Sequence, residues 1–294
     1  IENVVFKIIT DPSTTAVAVE TGEIDLAGFG SSVPASNLPL LEENSKLKVD
    51  RVDSINTAYI IMNLDHEPFN NVDLRKAIGH AIDKQFVIDV TENGSGTIAK
   101  AMTNSLMFGF SDKLQGYPYD VELAKQYLEK AGFPGGAGLP TFEFKLMEGK
   151  TKAAAEAIQA QLRDIGINIE LTVLEKNAYL GDVLSGNYDI GLLGITLGTD
   201  SAVYSNVFAS MNAHGGLNTA NWVDDKTDQL FSAAEVSSDP AERQKIYEEL
   251  FLYLEDCAVY IPLYHPQSAY IHNKDLDLGT IYPADISVAE MRWK

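Results

Sequence analysis

Short apolar runs rich in β-branched and aromatic residues alternate along this chain with amphipathic helical stripes. That alternation constrains the fold more than any other feature. The runs are residues 4–9, 24–27, 47–52, 59–62, 142–146, 167–174, 188–194, 258–263 and 269–271. Ile167, Ile169, Leu171 and Val173 recur at period two, as on a half-buried strand. Residues 188–194 are apolar apart from Asp189, which suits a central strand covered on both faces. Between the runs, Leu74, Ala77, Ile78, Ala81, Ile82 and Phe86 form one helical stripe. Asp120 caps a second stripe of Val121, Ala124, Tyr127, Leu128 and Ala131, closed by Gly132. Ala154, Ala157, Ile158, Leu162 and Ile165 form a third, ended by Gly166. Asp239-Pro240-Ala241-Glu242 opens the longest, with Ile246, Leu250 and Leu254 facing inward. The pattern predicts an α/β protein.

At 294 residues the chain exceeds the usual size of a single core, so about two domains are expected. Two extended segments, 59–69 and 263–268, are the candidate boundaries; a compact domain between them is entered once and left once. The glycine- and proline-rich stretch 133–140 reads as a loop before a strand. Charge narrows the function. Against 22 basic residues stand 42 acidic ones, a net of −20, with no basic stripe to neutralise phosphates, so nucleic acid and anionic membrane are excluded as partners. The longest apolar runs fall far short of the roughly 20 residues a membrane span requires.

Catalytic patterns are absent in turn. Gly28-Phe29-Gly30-Ser31-Ser32-Val33 lacks the third glycine and following helix of a dinucleotide fingerprint and reads as a turn. His66-Glu67 is followed by Pro68, which stops any zinc-binding helix, and the five histidines have no ligand spacing. There is no nucleophile elbow and no phosphate loop. Cys257, the single cysteine, reads as a small buried hydrophobe at a helix end. No metal, cofactor or enzymatic activity is expected.

An ordered series of segments resembles one family. It comprises Thr21-Gly22-Glu23-Ile24-Asp25, then Tyr59 to Asn63 leading to Pro68-Phe69, then Val72-Asp73-Leu74-Arg75 through Ala81-Ile82-Asp83-Lys84. Tyr119-Asp120 with Ala131-Gly132-Phe133, Tyr188-Asp189-Ile190 and Ile261-Pro262-Leu263-Tyr264 complete it. The series is similar to the extracellular solute-binding proteins of ABC importers, family 5, which bind peptides, dipeptides or nickel. The resemblance implies a periplasmic-binding-protein-like type II fold, with this chain as the C-terminal portion of a longer protein whose leader is absent. Residues 63–265 would form the complete second lobe, and residues 1–62 with 266–294 part of a discontinuous first lobe. Tyr59, Asn63, Tyr264 and His265 would sit at the hinge. Arg75 would be structural.

Peptide-binding members of that family carry a tryptophan and an Asp-Pro-Asp-Asn-Phe-like run after the strand at 188–194, and the aspartate pairs with the peptide's α-amino group. By that resemblance Thr196, Leu197, Gly198 and Thr199 would offer backbone to the ligand, Asp200 would be the amine anchor and Tyr204 the aromatic. Ile195 replaces the tryptophan, and the proline and asparagine are missing. Asp200 as an ordinary turn residue is the alternative. Trp222 is either a pocket wall or a surface aromatic. The implied function is a monomeric, non-catalytic receptor outside the cytoplasm, periplasmic or anchored as a lipoprotein, which delivers a small solute to membrane permease subunits. Alternatives are a receptor for a metal chelate, haem or sugar on the same fold, or a sensor or scaffold that delivers nothing.

Overall fold

The computed structural model describes residues 1–28, 33–149, 151–282 and 286–294. It divides the chain into two compact units, Ile1–Ser54 with Pro266–Lys294, and Ile55–His265. The breaks fall after Ser54 and after His265. The strand Thr57–Met62 is laddered over its whole length inside the second unit.

The discontinuous unit begins with helix α1 (Pro12–Thr21), whose cap Asp11 accepts from the Thr14 N–H at 2.7 Å. There follow β1 (Leu26–Ala27), α2 (Leu38–Glu43) and β2 (Leu47–Asp53). Gly28, at φ +110, is required after β1, because a Cβ there would lie 2.4 Å from the Ala269 carbonyl oxygen. Residues 29–32 of the rejected fingerprint lie outside the described residues. Residues 4–9, expected to form a strand, do not: they belong to no ladder, and Val5 and Ile8 are 89% and 91% exposed. β propensity expresses itself only against a neighbouring strand.

The second unit runs β3 (Thr57–Met62), α3 (Val72–Ala81), α4 (Lys84–Glu92), β4 (Gly96–Ile98), α5 (Val121–Lys130), β5 (Phe142–Met147), α6 (Thr151–Asp164), β6 (Ile169–Leu174), α7 (Lys176–Leu184), β7 (Ile190–Ile195), α8 (Ser205–Phe208), α9 (Asp225–Val236), α10 (Pro240–Cys257) and the start of β8 (Ile261–Asn273). The rest of β8 belongs to the first unit, where it pairs antiparallel with β2 from Leu47↔Asn273 to Asp53↔Gln267 and with β1 at Leu26↔His272. Pro266 therefore does not end the strand; the two runs expected at 258–263 and 269–271 are one. The last strands, β9 (Leu276–Asp277) and β10 (Arg292–Trp293), pair with each other.

In the second unit β7 lies between β3, antiparallel from Thr57↔Ile195 to Met62↔Ile190, and β5, parallel at Phe144↔Ile190. Period-two alternation sends neighbouring side chains to opposite faces. Ala58, Ile60 and Met62 join Ile190 and Leu192 in one core, covered by α3, α4, α5 and α6. Tyr59 and Ile61 point into the other, covered by α7, α8, α9 and α10. The stripe expected as one helix from Leu74 to Phe86 is two. Ile82 is extended, Asp83 caps α4 by accepting from the Phe86 N–H at 3.1 Å, and Phe86 is half exposed. Among the described residues no helix is long and apolar enough to cross a membrane.

Among the described residues Arg75, Lys84 and Lys145 are buried in this unit, and Lys145 is paired with Asp182 at 2.8 Å. Arg75 donates Nε to Ala258 O (2.9 Å), Nη1 to Phe69 O (2.6 Å) and Nη2 to Cys257 O (2.6 Å). It thereby occupies carbonyls left open at the end of α10, where Ala258 takes a left-handed φ of 48°. Burial lowers Arg75 to about 10, so it stays charged at neutral pH. Cys257 is half-buried, and burial raises its thiol, which suits packing and not reactivity. Lys84 is 4% exposed, with Nζ donating to Ala99 O at 3.3 Å and the Tyr117 ring 5.7 Å away. Desolvation pushes it down to about 7, against the opposing pull of Glu255.

Above about pH 7 the folded protein releases a proton from Lys84 that the unfolded chain keeps to about pH 10. Stability should therefore rise with pH across that window, by up to about 1.4 kcal/mol per unit. Lys84→Met, measured by urea denaturation, should be more stable than wild type at pH 6–7, with the advantage gone near pH 10. An advantage that does not change with pH would show that Lys84 is not buried in its charged form.

Candidate functional site

Beyond Ile195 the chain leaves the ladder and runs as a ledge, residues 196–200, fixed at both ends. At the near end Asn56 Nδ2 donates to Thr196 Oγ1 at 2.7 Å. At the far end the Phe108 N–H donates to Thr199 O at 2.8 Å and the Ser201 N–H to Phe108 O at 3.1 Å, which makes a parallel bridge between Phe108 and Asp200. Between these ends the backbone groups of Leu197 and Gly198 make no hydrogen bond among the described residues. The Leu197 side chain packs against the core shared by α7 to α10, which holds the ledge down on one side.

Asp200 stands at the end of the ledge and caps the 3₁₀ turn Ser201–Tyr204, with Oδ1 accepting from the Ala202 N–H at 2.9 Å. Its charge has a partner: Nη2 of Arg243 lies 3.1 Å from each carboxylate oxygen. Arg243 comes from the first turns of α10, whose start is set by Asp239, accepting from the Ala241 N–H, with Pro240 at the first position. The guanidinium carbon lies 4.9 Å from the Phe108 ring centre and 5.6 Å from that of Tyr247, and Nη2 is 3.4 Å from the Tyr247 hydroxyl. That hydroxyl and the Asp200 carboxylate hold Arg243 above its usual value. Beside it Gln244 grips the same loop, Oε1 accepting from the Gly109 N–H at 3.1 Å and Nε2 donating to Phe110 O at 2.7 Å. The whole offers an open stretch of backbone ending at an ion pair with an outward carboxylate, 44% exposed.

The other residues singled out in the sequence lie elsewhere. Tyr204 is wholly buried, its ring against Phe208 and Phe251 and its hydroxyl donating to Met102 O at 2.6 Å, so it is a core residue and walls no pocket. Burial raises that hydroxyl to about 12. Trp222 is part-buried and tied to α9 by Nε1 donating to Thr227 Oγ1 at 3.0 Å. Tyr59 packs edge-on against Tyr260, 5.2 Å between ring centres, and Asn63 donates to Gly186 O at 2.9 Å. Both lie inside the second unit. Tyr264 donates to Glu92 at 3.1 Å, and His265, the last residue of the unit, has Nδ1 3.1 Å from Thr57 Oγ1. Sequence reasoning singled out Asp200 and residues 196–199 but not Arg243, Gln244 or Phe108, which the structure places beside them. Gly109 and Gln244 are 135 residues apart, and no local pattern joins them. The one local signal was an arginine in the first turns of a well-capped helix, which alone reads as surface charge.

The model of the bacterial extracellular solute-binding proteins, family 5, middle region, matches residues 1–215. The chain belongs to this family. Among its relatives, heme-binding protein A of Haemophilus influenzae is 28% identical over 270 residues, covering 90% of this chain and 49% of that protein. The dipeptide-binding protein of Pseudomonas aeruginosa is 27% identical over 283 residues, covering 92% and 52%. The chain thus spans about half the length of the curated relatives it matches. Of solved structures, the periplasmic binding protein DppA from Helicobacter pylori, in complex with peptide STSA, superposes with a TM-score of 0.85 at 25% identity, over 97% of this chain and 56% of that one. NikA from Brucella suis, in complex with Fe(III)-EDTA, gives 0.85 at 25%, over 98% and 61%. The α/β, periplasmic-binding-protein-like type II fold expected from the sequence is the fold this chain shares with these structures over the matched length.

Because Tyr204 is buried, Tyr204→Phe should cost about 1 kcal/mol of stability, one hydroxyl lost from a carbonyl that Thr57 also serves. Denaturation with a parallel solute titration checks this; a solute affinity lowered beyond the stability loss would return the side chain to the binding surface.

Proposed function

We propose that the protein is a non-catalytic solute receptor of an ABC importer and that it takes a peptide along residues 196–200. The observation that carries this reading is the open backbone of Leu197 and Gly198, ending at Asp200. An extended peptide can pair with such backbone as an added strand, which gives affinity without demanding particular side chains. A carboxylate at the end of the strand then sets register by a charge-assisted bond to the peptide's ammonium. Relatives named as dipeptide-binding and glutathione-binding proteins support peptides as the solute class. In this reading Ile55–His265 is the lobe that carries the ledge, the receptor works outside the cytoplasm, and permease subunits are its partner. Haem or a metal chelate is the second reading, favoured by the relative named heme-binding protein A and by the NikA structure with Fe(III)-EDTA. Native mass spectrometry separates the two, as a family of retained peptide masses or as a haem or metal mass.

Calorimetry with a free-amine peptide and its N-acetylated form tests the anchor. Asp200→Asn should weaken the free-amine peptide a few-fold more than the acetylated one, since the ammonium loses a charged acceptor and the acetylated end only a neutral donor's bond. Equal losses for both peptides would indicate structural damage, and no loss for either would make Asp200 an ordinary turn residue.

A further inference from the structure

The pair at the end of the ledge is asymmetric. Arg243 is held by groups other than Asp200: its guanidinium lies against the rings of Phe108 and Tyr247, Nη2 reaches the Tyr247 hydroxyl, and its side chain is 24% exposed. Tyr247 is itself buried, and Gln244, one residue on, is bonded to both Gly109 and Phe110. Asp200 is the more exposed partner at 44%, with its backbone locked by the bridge to Phe108. The arginine is therefore a fixed charge, and no swing of its side chain is needed to open the carboxylate to a ligand. It meets the carboxylate through one nitrogen shared between both oxygens, and the Ala202 N–H takes a further site on Oδ1. One lone pair of Oδ2 remains for a ligand donor, on a carboxylate that is already neutralised.

Resting on the peptide reading above, we infer that Arg243 is a specificity-determining residue: by cancelling most of the Asp200 charge in place, it makes the anchor accept amine-ended and blocked-amine peptides with similar affinity. An ammonium bonded to the outer face of the carboxylate would stand roughly 6 Å from the guanidinium. At that distance in a partly screened site, the repulsion between two unit charges offsets about tenfold of the binding the carboxylate supplies. A site built on a lone aspartate would be a strong amine selector. This one is built as a hydrogen-bond acceptor of low net charge, suited to solutes whose end is an amine, an amide or an acylated nitrogen.

The test is the ratio of affinities for a free-amine peptide and its N-acetylated form, measured by calorimetry on each variant so that general damage cancels. Wild type should prefer the free amine only a few-fold. Arg243→Gln should raise that ratio about tenfold by tightening the free-amine peptide, and Arg243→Lys, which keeps the charge, should leave it near the wild-type value. Arg243→Met repeats the neutral case with an unbranched stem against both rings, should the glutamine variant fold poorly, and is expected to raise the ratio likewise. A ratio that stays flat or falls in the neutral variants, or rises equally in Arg243→Lys, would overturn the inference. The Asp200→Asn variant separates this from the parent reading: if it lowers the ratio while the Arg243 variants leave it unchanged, the anchor stands and the role of Arg243 falls. If Asp200→Asn leaves the ratio unchanged, the anchor itself falls.

Discussion

The burial of β7 between β3 and β5 is the constraint on which the rest of the second unit depends. Each central strand feeds two cores at once, because alternate side chains leave opposite faces, and a one-residue slip in register would exchange the two sets. Ile190 and Leu192 enter the core of α3 to α6, and Tyr59 and Ile61 on β3 enter the core of α7 to α10. Where β7 stops is then not free. The ladder ends at Thr57↔Ile195, and the chain that emerges is the ledge. Fold and candidate site are consecutive parts of one strand.

Helix α10 joins the structural and the functional ends of this arrangement. At its C-terminus Arg75 fills carbonyls that the helix cannot satisfy itself, and leaving any one of them unpaired would cost about 1–3 kcal/mol. Its buried face, Tyr247, Leu250, Phe251 and Leu254, sets its rotation against the core. Its first turns carry Arg243 and Gln244, which hold residues 108–110 and so pin the far end of the ledge. A buried arginine at one end of the helix and a partly buried one at the other thus do different work. The first completes a helix, and the second sets the charge of a surface.

Much of the fold is legible in the sequence because it is written in local chemistry. Asp120 and Asp239 cap helices where their spacing says they should, and the runs at 47–52, 142–146 and 188–194 fall on strands within a few residues of their observed ends. Errors arose where a neighbour decides. Residues 4–9 have the composition of a strand and join no ladder; the stripe through Phe86 is broken by a cap at Asp83; and Pro266 sits within a continuous strand. For the candidate site, residues 196–200 were singled out through likeness to a family. The arginine that neutralises Asp200, and the ring that supports it, were not, because ion pairs between distant segments leave no periodic trace. Tyr204 misled for the opposite reason, since an aromatic next to an acid reads as a binding pair until its burial is known.

Hydrogen exchange of backbone amides, followed residue by residue on the protein without added solute, tests most directly whether the ledge is an open extension of a buried strand. The amides of β3 and β7 should be among the slowest in the second unit, with a sharp fall in protection after Ile195, so that Leu197 and Gly198 exchange orders of magnitude faster than Leu192. Protection carried unbroken through Leu197 and Gly198, or β7 exchanging as fast as the exposed residues 4–9, would contradict the account.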